Sequence, residues 1–160
     1  MNEYLTKDDR KFSIKKPTAV NAEEIIKYSK LLFASTDQIL TTLEEYTITV
    51  ENEKKWIQNL NDDPNSLLLI AEMNNSIIGF LFFIPNSKRK ISHTGEFGVS
   101  VHSKYQSLGI GQLLVEVLLK WARQNVQIEK VYLQVFATNQ NAIKLYEKLV
   151  LLKKEDTIKQ

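Results

Sequence analysis

The sequence of 160 residues contains no cysteine, and this absence removes several kinds of chemistry. Disulfide bonds, thiolate zinc sites and a cysteine nucleophile are all excluded. Histidine occurs only twice, at His93 and His102, and these two residues do not have the spacing of metal ligands. We therefore predict a protein that uses neither thiol chemistry nor a bound metal.

The sequence also has little excess charge of either sign, with 21 basic and 19 acidic residues and a net charge of +2. The only dense basic run is Lys88-Arg89-Lys90, which is typical of a solvated loop rather than of a nucleic-acid interface. No apolar stretch is long enough to cross a bilayer, and residues 1–10 lack the apolar run of a signal peptide. We predict a cytoplasmic protein that binds neither nucleic acid nor a membrane.

Internal repeats, low-complexity stretches and linkers are also missing, so we predict one domain over residues 1–160. The hydrophobic fraction is 43% and the charged fraction is 25%, as in ordinary globular proteins. Residues 36–50 give no clear pattern. Elsewhere, hydrophobic periodicity predicts strands at residues 12–15, 67–73, 77–84, 92–101 and 130–136, and helices at 21–35 (capped by Asn21), 51–60, 110–122 and 139–149.

This order of elements predicts a mixed α/β (α+β) fold. Short connections make the three middle strands antiparallel, so the central sheet is mostly antiparallel. The helix that follows residue 109 separates two strands and predicts a parallel crossover between them. Helices are expected on both faces of the sheet.

The most informative segment is the turn that contains Gly109 and Gly111, because a strand ends just before it and a helix begins at once. Such a turn points backbone N–H groups and the positive end of a helix dipole at one volume, which suits a phosphate or pyrophosphate. A Walker-type loop would need Lys-Ser/Thr where Gln112-Leu113 stand, and a dinucleotide fold would need glycine at Leu114. From the glycines alone, a plain strand-to-helix turn remains open.

Two ordered motifs extend this interpretation. Residues 106–111 read Gln-Ser-Leu-Gly-Ile-Gly, and residues 139–146 read Asn-Gln-Asn-Ala-Ile-Lys-Leu-Tyr. They resemble the Gln/Arg-x-x-Gly-x-Gly/Ala and Asn-x-x-Ala-x-x-Leu-Tyr motifs of the GNAT superfamily of acetyl-CoA-dependent N-acetyltransferases. The resemblance follows the element order over residues 12–149 and is sharp over 94–149. It implies acetyl-CoA as co-substrate, no metal, and a parallel strand pair that splays apart.

The resemblance also implies which residues bind the cofactor. The glycine turn would hold the pyrophosphate, the backbone of the preceding strand would meet the thioester carbonyl in the gap of the sheet, and one asparagine would touch the cofactor arm. The residues that this assigns are Val99, Val101, Gln106, Ser107, Leu108, Gly109, Ile110, Gly111 and Asn139.

Two further residues are candidates for proton transfer. Glu96 coincides with a glutamate that acts as general base in many relatives, often through water. It lies in an otherwise apolar strand, so we expect it to be partly desolvated. An exposed glutamate in an ion pair is the alternative. Tyr146 coincides with the tyrosine that donates a proton to the departing sulfur, and a tyrosine of the helix core is the alternative.

The pattern departs from the family after Leu149, where relatives usually continue with Gly-Phe. Here residues 150–155 read Val-Leu-Leu-Lys-Lys-Glu, although one added base in a permitted codon choice would give Gly-Phe-Ile-Lys-Glu-Gly. We interpret residues 150–160 as a frameshifted tail, which predicts a truncated C-terminal strand. The neighbouring strand edge would then be open for pairing, and we predict a homodimer through it.

The sequence therefore predicts an N-acetyltransferase that moves an acetyl group from acetyl-CoA to an amine by direct attack. The acceptor is a small-molecule or peptide amine, recognised by residues 28–56, where no motif stands out. The alternatives are an acyl-CoA-binding module without transferase activity, because of the altered tail, and a structural or partner-binding domain.

Overall fold

The computed structural model describes residues 2–35, 48–85, 94–125 and 130–133. The strands are β1 (Asn2–Leu5), β2 (Lys11–Lys15), β3 (Leu67–Met73), β4 (Ser76–Pro85), β5 (Thr94–Val101) and β6 (Lys130–Leu133). The helices are α1 (Ala22–Ser35), α2 (Val50–Asp62) and α3 (Ile110–Gln124), and short 3-10 turns cover Ala19–Asn21 and Ser103–Tyr105. The predicted helix at 139–149 and the tail at 150–160 lie outside the described residues.

Within the described residues the strands form one sheet in the order β1-β2-β3-β4-β5-β6. The four pairs from β1–β2 to β4–β5 are antiparallel, and β6 pairs with β5 in parallel, from Thr94↔Lys130 to Phe97↔Leu133. The predicted mixed sheet with a parallel crossover through α3 is confirmed. The splay of this pair was expected beside Val99 and Val101, and the segment that would face them lies outside the described residues.

Strand β3 shows why helices cover both faces of the sheet. Its side chains alternate, so Leu67 and Leu69 pack in the core under α3, whereas Leu68 and Ile70 pack in the core under α1 and α2. Both sets are at least 96% buried. A strand that is covered on both faces reads as a continuous apolar run, which is the pattern that identified it in the sequence.

Helix α3 has the face that its periodicity predicts. Ile110, Leu114 and Leu118 are buried against the sheet, and Leu113, Val117 and Trp121 pack at the margin of the same core. The Trp121 ring meets the Phe83 ring edge-on, with centroids 5.6 Å apart. This packing fixes the start of α3 near the end of β5.

The prediction that the Asn21 side chain caps the first helix is wrong, because this side chain bonds to a different amide. An N-cap side chain accepts a bond from an amide further along the helix. Asn21 Oδ1 instead accepts from the N–H of Thr18, behind it, and so closes the 3-10 turn that precedes α1. Helix α2 has a regular cap, because Thr49 Oγ1 accepts from the N–H of Asn52 at 3.1 Å.

A β-bulge in β4 sets the exit from β5. Ala71 pairs with Gly79 and Glu72 pairs with Ile77, which leaves Ile78 as an extra residue. The C=O of Ile78 accepts from the N–H of His102 at 2.8 Å, one residue after β5 ends. The bulge therefore positions the first residue of the turn that leads to α3.

Gly95 gives a first prediction, on stability. A Cβ there would lie 2.7 Å from the C=O of Ile84 and against the Phe83 ring, both in β4. We expect Gly95→Ala to lower the free energy of unfolding by about 2–3 kcal/mol, and thermal denaturation to show a midpoint lower by roughly 5–10 °C. Gly79→Ala is the control, because its Cβ meets only side chains, at 3.1–3.3 Å. Equal losses in both variants would contradict the steric argument.

Candidate cofactor-binding site

The segment between β5 and α3 begins with a tight 3-10 turn. The N–H of Tyr105 donates to the C=O of His102 at 2.8 Å, and the N–H of Lys104 donates to Nδ1 of the His102 ring at 3.1 Å. Because Nδ1 accepts this bond, the neutral ring carries its proton on Nε2. His102 thus accepts two hydrogen bonds that hold the entrance of the glycine turn.

The glycine turn has two residues in the left-handed region. Ser107 has φ 65° and Gly109 has φ 88° with ψ 1°, and α3 begins directly after Gly109. The C=O of Gly109 accepts from the N–H of Leu113 at 3.1 Å, which is the first bond of the helix. A glycine suits this position because a side chain at such a φ is strained.

The N-terminus of α3 presents unpaired donors. Among the residues that the structure describes, none accepts a hydrogen bond from the backbone N–H of Ile110, Gly111 or Gln112. These donors lie at the positive end of the helix dipole. The turn therefore has the arrangement that binds an anionic group such as a phosphate.

The remaining residues of the motif shape the turn. Gln106 is exposed, and its Nε2 lies 3.4 Å from the C=O of Val101, across the mouth of the turn. Leu108 packs at the margin of the α3 core, and its C=O accepts from the N–H of Lys7 at 2.9 Å. Asn139, the ninth predicted cofactor contact, lies outside the described residues.

Glu96 corrects one expectation from the sequence. We expected a partly desolvated carboxylate, but the Glu96 side chain is exposed. Strand alternation sends Phe97 into the α3 core and Glu96 to the opposite face, where α1 and α2 cover β3 and β4 but leave this side chain open. It has no ion-pair partner among the described residues, so the alternative role also lacks its partner here.

The same face of β5 carries a contact that the sequence did not reveal. The hydroxyls of Tyr28 in α1 and Ser100 in β5 lie 2.8 Å apart, across 72 positions of sequence. Burial raises the pKa of Tyr28 far above its ordinary value, so the phenol stays neutral. The sequence pattern identified Tyr28 only as a residue on the apolar face of a helix, and it gave no indication of a role for Ser100.

A small cavity lies beside this pair, at the end of β5. Its volume is about 10 Å³, enough for one water molecule. The residues that line it are Tyr28, Leu31, Leu32, His102 and Ser103. The α1 face of β5 thus combines an exposed carboxylate, a fixed pair of hydroxyls and room for a water.

Helix α2 contains a buried carboxyl group that sequence analysis also missed. Glu53 is 4% exposed and shares its helix face with Val50 and Ile57. Glu53 lies three residues after Val50 and four residues before Ile57, and this helical spacing could have indicated that it shares their buried face. Burial raises the pKa of Glu53 above its ordinary 4.5.

We expect the Glu53→Gln substitution to stabilise the fold at pH 7. A raised pKa means that the folded chain binds the proton more tightly, so the carboxyl costs nothing below about pH 4.5 and destabilises as pH rises through the folded pKa. The gain in thermal midpoint over wild type should therefore disappear towards pH 4. Glu51→Gln, exposed in the same first turn, is the control. If Glu53→Gln lost as much stability at pH 7 as Glu51→Gln, or more, the argument that a buried charge destabilises the fold would be contradicted.

In the described part of the chain, no group of three or more His, Cys, Asp or Glu side chains is placed to hold a metal ion. Within the same residues, no helix has the length and apolarity needed to cross a membrane.

Comparison with solved structures places this fold. An acetyltransferase of the GNAT family from Streptococcus pneumoniae superposes with a TM-score of 0.80 at 23% identity, covering 86% of this chain and 82% of that one. The protein yncA from Salmonella typhimurium, solved with its cofactor acetyl-CoA, gives a TM-score of 0.73 at 21% identity and covers 86% and 78%. The architecture described above is therefore the one found in these acetyltransferases.

Comparison of sequences agrees. The L-amino acid N-acetyltransferase AaaT of Escherichia coli is 26% identical over 115 residues, which are 69% of this chain and 71% of that protein. Residues 33–150 match the profile of the acetyltransferase (GNAT) family, from within α1 to beyond both predicted motifs. The protein belongs to the acetyltransferase (GNAT) family.

Proposed function

We propose that the protein is an N-acetyltransferase that transfers the acetyl group of acetyl-CoA to an amine. The observation that carries this proposal is the glycine turn of a chain of this family, where left-handed Gly109 leads into three amides that have no partner among the described residues. A related fold binds acetyl-CoA, and a relative is named for acetylating L-amino acids. The acceptor proposed here is a small-molecule or peptide amine.

The cofactor would lie along the end of β5 and the start of α3. Its pyrophosphate accepts from the amides that follow Gly109, and its thioester carbonyl lies against the backbone of Val99 and Val101. Strand β5 pairs with β4 on one side, up to Gly79↔Val101, while its pairing with β6 extends only to Phe97 within the described residues. An amide that is free on that second side would stabilise the developing oxyanion, lowering the barrier by about 3 kcal/mol.

The reaction then needs two proton transfers. The amine nitrogen attacks the thioester carbon and forms the new C–N bond, while Glu96 accepts the amine proton, directly or through one water. Exposure of Glu96 on the α1 face makes it reachable from solvent. Collapse of the tetrahedral intermediate breaks the C–S bond, and Tyr146 donates a proton to the departing sulfur. The products are an amide and free CoA.

Release of free thiol from acetyl-CoA, measured over a broad panel of amines, tests the proposal. We expect release with at least one amine, together with thermal stabilisation by CoA. Stabilisation without thiol release on any amine would favour an acyl-CoA-binding module, for which the departure from the family pattern after Leu149 is the supporting observation. No stabilisation by CoA would favour a structural domain.

The role of Tyr146 has its own test. We expect Tyr146→Phe to lower turnover by about 100-fold while CoA affinity stays within twofold, because phenylalanine keeps the aromatic ring but has no proton to donate to the sulfur. Initial rates of thiol release give the turnover, and calorimetric titration gives the affinity. Tyr4→Phe, half-buried in β1, is the control. Unchanged turnover in Tyr146→Phe would remove its assigned role.

A further inference from the structure

The turn between β1 and β2, residues 6–10, packs against the glycine turn. The N–H of Lys7 donates to the C=O of Leu108 at 2.9 Å. The Lys7 side chain also passes over Gly109, since a Cβ built on that glycine would lie 3.6 Å from both Cγ and Cε of Lys7. The far end of the Lys7 side chain is therefore held next to the residue from which α3 begins.

The residues around Lys7 hold this turn in one shape. Thr6 is 3% exposed, its Oγ1 accepts from the N–H of Arg10 at 2.9 Å, and its hydroxyl donates to the Asp8 carboxylate. The Arg10 guanidinium lies 2.9 Å from Asp8 and 5.4 Å from the centroid of the Tyr105 ring. The turn thus contacts the β5–α3 segment at two places, Leu108 and Tyr105.

The charged residues of this turn differ in whether they have an ion-pair partner within it. Hydrogen bonds from Arg10 and Thr6 hold the pKa of Asp8 below its ordinary value, so that carboxylate is ionised and paired within the turn. Lys7 is exposed and has no ion-pair partner among the described residues. A lysine ammonium is a compact charge with three donors, which suits a phosphate oxygen.

We propose that Lys7 is a further cofactor-binding residue, outside the glycine motif, whose ammonium contacts the diphosphate of acetyl-CoA. This inference rests on the proposed placement of the diphosphate at the glycine turn. Lys7 and the amides after Gly109 lie far apart in the sequence, and the bond from the Lys7 N–H to Leu108 brings them to one place. The sequence motif alone supplies dipoles, and Lys7 adds a full positive charge.

Substitution of the side chain isolates this charge, because the bond to Leu108 comes from the Lys7 backbone and is kept. We would titrate wild type, Lys7→Ala and Lys7→Glu with CoA and with dephospho-CoA, which lacks only the 3′-phosphate. Lys120→Glu has the same change in net charge as Lys7→Glu and is the control. It is exposed on α3, roughly 15 Å along the helix from Ile110, beyond the Debye length of about 8 Å at physiological salt.

We expect Lys7→Ala to weaken the binding of both compounds by about tenfold, and Lys7→Glu by about 100-fold, with Lys120→Glu within twofold of wild type. Raising the salt concentration should reduce these differences. Far-ultraviolet circular dichroism checks that each variant is folded, and Lys7→Gln replaces Lys7→Glu if the latter is not.

Three outcomes would overturn the inference. Binding of Lys7→Glu equal to wild type, with wild type binding both compounds, removes the role of Lys7 and leaves the proposed function intact. Weaker binding of CoA with unchanged binding of dephospho-CoA would place Lys7 at the 3′-phosphate instead of the diphosphate. Wild type that binds neither compound would overturn the proposed function and this inference together.

Discussion

Gly109→Val is expected to raise the dissociation constant for acetyl-CoA at least 100-fold, to the limit of detection. The φ of 88° at this position costs a side chain about 1–2 kcal/mol, and a β-branched side chain fits it least well. Relief of that strain would rotate the peptide planes that aim the N–H groups of Ile110, Gly111 and Gln112. The new side chain would also point at Lys7, 3.6 Å from the Cβ position. Calorimetric titration with acetyl-CoA measures the effect.

The control for Gly109→Val is a valine substitution at another residue with positive φ, away from the glycine turn. Asn75 lies in the β3–β4 turn with φ 64°, and Asn75→Val imposes the same kind of backbone cost away from the glycine turn. We expect this variant to lose thermal stability and to keep its affinity for acetyl-CoA. A folded Gly109→Val protein with affinity within threefold of wild type would show that the turn does not hold the cofactor.

Glu96→Gln is expected to lower turnover by about 1,000-fold, with little change in the affinity for acetyl-CoA. The amide has nearly the shape of the carboxylate but cannot accept the proton of the attacking amine. Because the side chain is exposed on the sheet face opposite α3, the substitution should leave the packing of Phe97 and the glycine turn as they are. Initial rates of thiol release at saturating acetyl-CoA measure the loss.

The pH dependence separates a base from a residue that only binds the acceptor. Aliphatic amines lose their proton unaided near pH 10.4, so the deficit of Glu96→Gln should shrink as the pH approaches that value. Glu3→Gln, an exposed carboxylate of β1, is the control and should behave as wild type. A deficit that stays constant from pH 7 to pH 10 would assign Glu96 to acceptor binding, and the absence of any deficit would leave it without a role.

The sequence predicted those helices and strands in which the spacing of apolar residues shows which side chains are buried. Strand β3 was predicted with its observed bounds, because an apolar run that only Glu72 interrupts ends at the Asn74-Asn75 turn, where both residues have positive φ. The start and the buried face of α3 followed from its spacing and from Gly109, whereas the helix continues to Gln124, beyond the predicted end at residue 122. Strand β1 was missed, because Asn2–Leu5 is a short edge strand with no apolar run.

The candidate site was less predictable, because its details depend on contacts between distant segments. Alternation in β5 predicted which face receives Phe97, but it could not tell whether a helix covers Glu96 on the other face. The Tyr28–Ser100 contact and the approach of Lys7 to Gly109 likewise join residues far apart in sequence, and no local pattern encodes them. The roles of Tyr146 and Asn139 remain predictions that rest on the family motif.

The extra residue in β4 has a consequence for comparing this strand with those of relatives. Ile77 and Phe80 face the α1–α2 core although they are three positions apart, while Ile78 faces the α3 core. An alignment that treats β4 as a regular strand would assign the opposite face to every position on one side of Ile78. A relative whose chain lacks this extra residue would also lack the carbonyl that, in this protein, accepts a hydrogen bond from the N–H of His102. Another group would then have to hold the start of the relative's cofactor turn.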